Sequence, residues 1–111
     1  MKDEILSHLH DILQAGKAIK GFIAGCTFEQ YSSNELLRSG VERKLEIIGE
    51  ALSRIKRNEP ELLQKIREHR DIISFRNILV HGYSIIDDRI VWGIIDEDLD
   101  NLLKDVDNLL Q

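Results

Sequence analysis

The sequence predicts an all-α protein, an up-and-down helical bundle, and three observations carry that prediction. Apolar residues recur at steps of three, four and seven through most of the 111 residues, the spacing that lines one face of an α-helix. No stretch longer than a few residues alternates apolar and polar positions as a half-buried strand does. One proline and scattered glycines leave no repeat, linker or low-complexity segment. The length fits a single domain, residues 1–111, with one modest core that a second protomer would enlarge.

The elements follow in order. Ile5, Leu9, Ile12, Ile19 and Ile23, widened by Leu6 and Leu13, predict a long first helix ending near Gly25. Residues 26–33 read as a connection with room for one short turn. Ser32 and Glu35 have capping-box spacing, which places the start of a second helix there. That helix carries Leu37, Val41, Leu45, Ile48, Leu52 and Ile55 and stops before Pro60. Gly40, Gly49 and Ala51 lie inside it. Glycine weakens a helix interior by roughly 1 kcal/mol relative to alanine, so a close helix crossing is the expected reason for its presence. Pro60 suits the first turn of a third helix with Leu62, Leu63 and Ile66. A fourth segment runs from Asp71 through Val80 and ends at Gly82. After a polar break over 84–89, a last helical region carries Ile90, Val91, Ile94, Ile95, Leu99, Leu102, Leu103, Val106 and Leu110, with a kink expected near Asp96.

Composition narrows the function classes. No apolar run approaches the ~20 residues of a membrane-spanning helix. The opening Met-Lys-Asp-Glu lacks the apolar centre of a signal peptide, and the one cysteine, Cys26, has no internal disulfide partner. A cytoplasmic location is therefore expected. Net charge is −5, but it is unevenly spread. Residues 38–76 hold ten Lys/Arg against seven Asp/Glu, residues 84–111 two against eight, and residues 1–37 three against five. The middle is locally basic and the C-terminal part acidic. Solvated helix faces explain this asymmetry equally well. No long basic surface is available for broad binding to duplex nucleic acid.

Metal and cofactor chemistry finds no support. His8 and His10 are two apart on a helix and point different ways, and no Cys or His pair has zinc spacing. Asp96, Glu97, Asp98 and Asp100 read better as a solvated acidic helix start than as a cation site. There is no glycine-rich phosphate loop, and Cys26 has no evident basic partner. No metal and no cofactor is expected.

One segment stands apart: Arg76-Asn77-Ile78-Leu79-Val80-His81-Gly82-Tyr83. On a helix Asn77 and His81 share a face, whereas Arg76 and His81 lie ~140° apart around the axis. A bare helix therefore does not complete this site; a local loosening at Gly82 or a second copy of the helix must do so. The residue types suit cleavage of an RNA phosphodiester. Histidine moves protons near neutrality, and arginine offers a charged fork that matches phosphate. One such histidine per chain does not easily serve as both base and acid, which favours two His81 residues meeting across a homodimer axis. The plainer reading stays open: His81 as a helix C-terminal residue bonded to carbonyls, Arg76 in a salt bridge with Asp71 or Glu68, and Tyr83 packed under the bundle.

The segment resembles the R-x-x-x-x-H-x-Y signature of the HepT-like toxins of the HEPN superfamily. Val41-Glu42-Arg43-Lys44-Leu45-Glu46-Ile47-Ile48-Gly49-Glu50-Ala51 resembles that family's other recurrent block, ending Ile-Gly-Glu-Ala, and Ile86-Asp87 with Ile90-Val91-Trp92 is also similar. Ser74-Phe75 ahead of Arg76 departs from the pattern in packing residues only. The resemblance implies a homodimeric helical fold of HEPN type with the motifs facing a central cleft. It implies a toxin with metal-independent ribonuclease activity that leaves a 2′,3′-cyclic phosphate, and a minimal nucleotidyltransferase antitoxin that adds AMP to Tyr83. Arg76 would hold the scissile phosphate and His81 transfer protons. Asn77 would orient His81 or the phosphate, and Tyr83 would contact the substrate and accept the modification. The competing expectation is a non-catalytic HEPN protein that presents nucleotide or substrate to a partner nucleotidyltransferase.

Overall fold

The structure is a computed structural model, and it describes residues 2–67, 69, 70, 72, 73, 76 and 87–111. Among the described residues there is no strand. The helices are α1 (Asp3–Ile23), α2 (Phe28–Ser32), α3 (Glu35–Asn58), α4 (Pro60–Leu63), α5 (Asp88–Gly93) and α6 (Leu99–Leu110), with a π-helical turn (Ile94–Asp98) joining the last two. The described residues form the all-α architecture that the periodicity predicts, consistent with the HEPN type that the resemblance implies. Of the fourth predicted segment, Ile72, Ile73 and Arg76 are helical, and the rest lies outside the described residues.

The long helices α1 and α3 bury matching stripes. Ile5, Leu9, Ile12 and Ile19 face Val41, Leu45, Ile48, Leu52 and Ile55, all essentially inaccessible to water. Each fully buried aliphatic side chain of this size contributes about 1.5–3 kcal/mol, so this seam is the main source of cohesion. Phe22 near the end of α1 lies against Gly40 near the start of α3. His8 and Asp11 near the start of α1 meet Ile47, Glu50 and Arg54 farther along α3. The two helices are therefore antiparallel. α6 also runs antiparallel to α1: Gly16 meets Leu103, and Lys20 pairs with Asp100 at 2.7 Å. A Cβ at Gly16 would stand 3.0 Å from Leu103 Cγ, with a methyl carbon nearer still, so the absence of a side chain sets this approach.

Three local expectations are corrected or sharpened. The capping box sits at Thr27 and Gln30, not at Ser32 and Glu35: Thr27 Oγ1 accepts from Gln30 N and Gln30 Oε1 accepts from Thr27 N. It starts the five-residue α2, and Asn34 then caps α3 by accepting from Leu37 N. Ser32 ends α2 and its hydroxyl donates to Asp88 Oδ2 at 3.1 Å, tying α2 to α5. Ile90, expected in the core, is 56% exposed, because the six-residue α5 turns Val91 inward instead. The kink near Asp96 is the π-helical turn, in which Leu99 N–H bonds Ile94 C=O. At ~100° per α-helical residue, the eight residues from Val91 to Leu99 would overshoot two turns by ~80°. The slower winding of the π turn takes back most of that overshoot. Val91, Ile95 and Leu99 are accordingly all buried.

After α4, the segment 64–67 is pinned to α6. Arg67 donates from its backbone N, its Nε and its NH2 to the Asp105 carboxylate at 3.0–3.1 Å. The Arg67 bonds hold the Asp105 carboxyl below the usual carboxylate range.

Candidate active site

The candidate site starts from the sequence block Ile48-Gly49-Glu50-Ala51. On α3 each of these residues meets something different. Ile48 and Ala51 are buried in the core. Gly49 faces Arg76: a Cβ there would lie 2.6 Å from Arg76 Cγ and 3.3 Å from the Ile72 carbonyl oxygen. Only glycine lets the segment carrying Ile72 and Arg76 cross α3 at this distance, because any other residue would occupy the space of the arginine stem. The close crossing expected from the glycines is real at Gly49, and it is made with the arginine of the motif.

Glu50, the next residue, receives that arginine. Its Oε2 accepts from Arg76 NH2, and its Oε1 accepts from Arg54 Nε at 3.0 Å, with Arg57 NH2 4.0 Å away. The hydrogen bond from Arg54 is the main reason the Glu50 carboxyl sits below its usual range, and the Arg76 and Arg57 charges add to it against the opposing effect of burial. Glu50 is therefore an anion near neutral pH, spread between guanidinium groups from two segments.

This pair borders a cleft of about 260 Å³ between α1 and α3. His8 and Asp11 form its α1 wall, and Arg43, Glu46, Ile47, Glu50, Ala51 and Arg54 its α3 wall, with Arg76 at the edge. Arg43 pairs with Glu46 at 3.3 Å. His8 is nearly buried, with Nε2 3.8 Å from Glu4 Oε1. The lining is rich in guanidinium groups with interleaved carboxylates, a surface suited to a polar, anionic ligand.

Of the four residues singled out in the sequence, the structure places Arg76 at this cleft; Asn77, His81 and Tyr83 lie outside the described residues. Glu50 and His8 are cleft residues that sequence reasoning did not assign. The Ile-Gly-Glu-Ala block was the available signal for Glu50. His8 carried none beyond its residue type.

Comparison with known proteins identifies the family. The family model described as Ribonuclease HepT-like matches residues 12–109. A Methanocaldococcus jannaschii protein provisionally named RNase MJ1380 is 31% identical over 96% of both chains. A Thermococcus cleftensis protein named "Probable ribonuclease HepT" is 33% identical over 92% of both chains. A Caldanaerobacter subterraneus protein provisionally named RNase TTE0752 is 31% identical over 94% of this chain and 92% of its own. No solved structure matches the chain significantly. With the family model covering residues 12–109 and relatives above 30% identity aligned over more than nine tenths of the chain, this chain belongs to the HepT-like ribonuclease family.

Proposed function

We propose that this chain is a metal-independent RNA endonuclease and the toxin of a type II toxin–antitoxin pair, working as a homodimer in the cytoplasm. The observation that carries the reading is Arg76, the first residue of the motif, held by a carboxylate at the edge of a polar cleft in a HepT-like chain. In the proposed reaction a base removes the 2′-hydroxyl proton and the 2′-oxygen attacks phosphorus. The bond to the 5′-oxygen breaks as an acid protonates it, leaving a 2′,3′-cyclic phosphate. Arg76 stabilises the charge on the phosphorane-like transition state. The two His81 side chains of a dimer divide the proton transfers, and Asn77 orients His81 or the phosphate.

Control is proposed to lie at Tyr83. A minimal nucleotidyltransferase antitoxin transfers AMP from ATP to its phenolic oxygen, with loss of the phenolic proton and release of pyrophosphate, and the new phosphodiester anion competes with RNA phosphate for Arg76. The names of the relatives support the ribonuclease part of this reading. No helix among the described residues is long and apolar enough to cross a membrane.

The test is to incubate the purified chain with total RNA in EDTA and to analyse the product ends. Cleavage with cyclic phosphate ends, lost in His81→Ala, is the expected result. Strict Mg²⁺ dependence or full activity in His81→Ala overturns it. Tight RNA or nucleotide binding without cleavage would favour the non-catalytic partner of a nucleotidyltransferase, a reading to which the acidic residues 84–111 lend support.

A further inference from the structure

We propose that Glu50 is the positioning residue of the site: it fixes the Arg76 guanidinium in its working orientation before substrate arrives. The inference rests on the ribonuclease reading above and assigns a role to a residue outside the motif.

The geometry has two parts. The stem of Arg76 is located by Gly49, whose missing side chain leaves room for Arg76 Cβ and Cγ against α3. Its head is located by Glu50 Oε2. Glu50 is itself braced, because its other oxygen accepts from Arg54 Nε, one turn farther along the same helix. A lone surface carboxylate on a long flexible stem orients little. One held at both oxygens, with its arginine partner clamped at the stem, is an anchored fork.

Two opposite consequences of such a pair are conceivable, and they differ in sign. If Glu50 merely neutralised Arg76, it would compete with the incoming phosphate, and removing its charge would tighten RNA binding and raise activity. If Glu50 orients the guanidinium, removing its charge leaves the arginine present but shifted from its working position. A misplacement of ~1 Å in a positioning group costs on the order of 100-fold in rate. The bracing by Arg54 favours the second outcome. It also draws Glu50 charge away from Arg76, which weakens the competition.

The experiment compares the full chain with Glu50→Gln and Glu50→Asp, each also in an Arg76→Ala background. Glu50 is on the helix surface side of α3, with its side chain 32% exposed, so both variants should keep the helical spectrum. Glu50→Gln is expected to lower kcat for RNA cleavage about 10–100-fold, with KM changed less than about threefold. Glu50→Asp, which keeps the charge, should recover part of the loss. In the Arg76→Ala background neither change should lower activity further, because Glu50 acts through Arg76. The side-chain Nη–H signals of Arg76, the group that meets Glu50, followed by NMR without RNA, should shift in Glu50→Gln. Unchanged or raised activity in Glu50→Gln, an additive loss with Arg76→Ala, or an unmoved Arg76 signal would overturn the proposal. The NMR readout needs no cleavage, so a chain that cuts no RNA would sink the ribonuclease reading and still decide this one.

Discussion

Two arginine–carboxylate pairs, whose arginines lie nine residues apart in this chain, are put to different uses. Arg67 and Asp105 close on each other: three donors of one residue converge on one carboxylate, whose side chain is only 12% exposed. Arg76 and Glu50 form an open pair, in which the carboxylate is shared with Arg54 and the group borders a cleft. A pair in which three donors close on one covered carboxylate is a fastening between segments. A carboxylate shared between two arginines in the lining of a cleft places Arg76 beside the surface that an anionic ligand would meet. Both join an arginine to a carboxylate, so function has to be read from partners and surroundings.

The largest effect that should separate them is catalytic. Arg76→Ala and His81→Ala are expected to lower RNA cleavage by ~10²–10⁴-fold, the usual worth of a lost acid–base or phosphate-binding group, while the melting temperature stays nearly unchanged. Arg67→Ala should do the reverse, lowering the melting temperature and leaving cleavage per folded molecule intact. A loss of activity in Arg67→Ala as deep as in Arg76→Ala would erase the distinction.

Gly49→Ala probes the open pair from the backbone. The new Cβ would press on Arg76 Cγ and approach the Ile72 carbonyl. Overpacking of this kind costs about 1–3 kcal/mol, and it should displace Arg76 as well. Thermal unfolding and cleavage should therefore fall together, unlike in either arginine variant. Retention of both would mean that the segment carrying Arg76 moves aside without consequence.

The contrast also explains which parts of this molecule were legible from sequence. The seam of α1, α3 and α6 could be read because its apolar stripes repeat every three or four residues, and burial follows that period directly: Leu9 and Ile12, Leu45 and Ile48, Leu102 and Val106 are all fully covered. Caps were less legible: Ser32 and Glu35 match the spacing rule, yet Asn34 is the residue with extended backbone and a side chain aimed at the helix start. The motif marked Arg76, but nothing local marked its partner. Glu50 is separated from it by 26 positions, and their meeting depends on a helix crossing whose distance Gly49 sets. Asp105 was hidden from Arg67 in the same way.

A smaller effect concerns the closed pair alone. Asp105→Asn keeps the shape but removes the charge that draws the three Arg67 donors. Hydrogen bonds to charged groups contribute about 1.5–3 kcal/mol in favourable settings. Because Arg67 is half exposed and water can replace part of the loss, about 1–2 kcal/mol is expected by urea unfolding at pH 7, with RNA cleavage unchanged. A fall in cleavage without a fall in stability would give Asp105 a role in the site.

The smallest effect is the pH dependence of that difference, and its sign follows from Asp105. The Arg67 bonds lower its folded-state pKa beneath the unfolded value, which is about 3.9 for aspartate. Above that value the carboxylate is charged in both states, and the folded protein holds the whole advantage. As pH falls below about 4 the unfolded chain takes up the proton first, so unfolding becomes easier, and the advantage is gone once pH drops through the folded-state pKa. Asparagine has no such proton. The stability gap between the native chain and Asp105→Asn should therefore be widest at neutral pH and narrow steadily on acidification below about pH 4. Glu50 is lowered in the same direction, chiefly by Arg54, so Glu50→Gln should also flatten the acid limb. Its flattening should be the shallower of the two, because the Glu50 side chain, 32% exposed against 12% for Asp105, is the better screened carboxylate. Urea titrations at pH 7, 5, 4 and 3 on the three proteins measure both. A gap that stays constant from pH 7 to pH 3 would show that the Arg67 bonds do not depend on the Asp105 charge, and a steeper change for Glu50→Gln than for Asp105→Asn would make the cleft pair the tighter fastening.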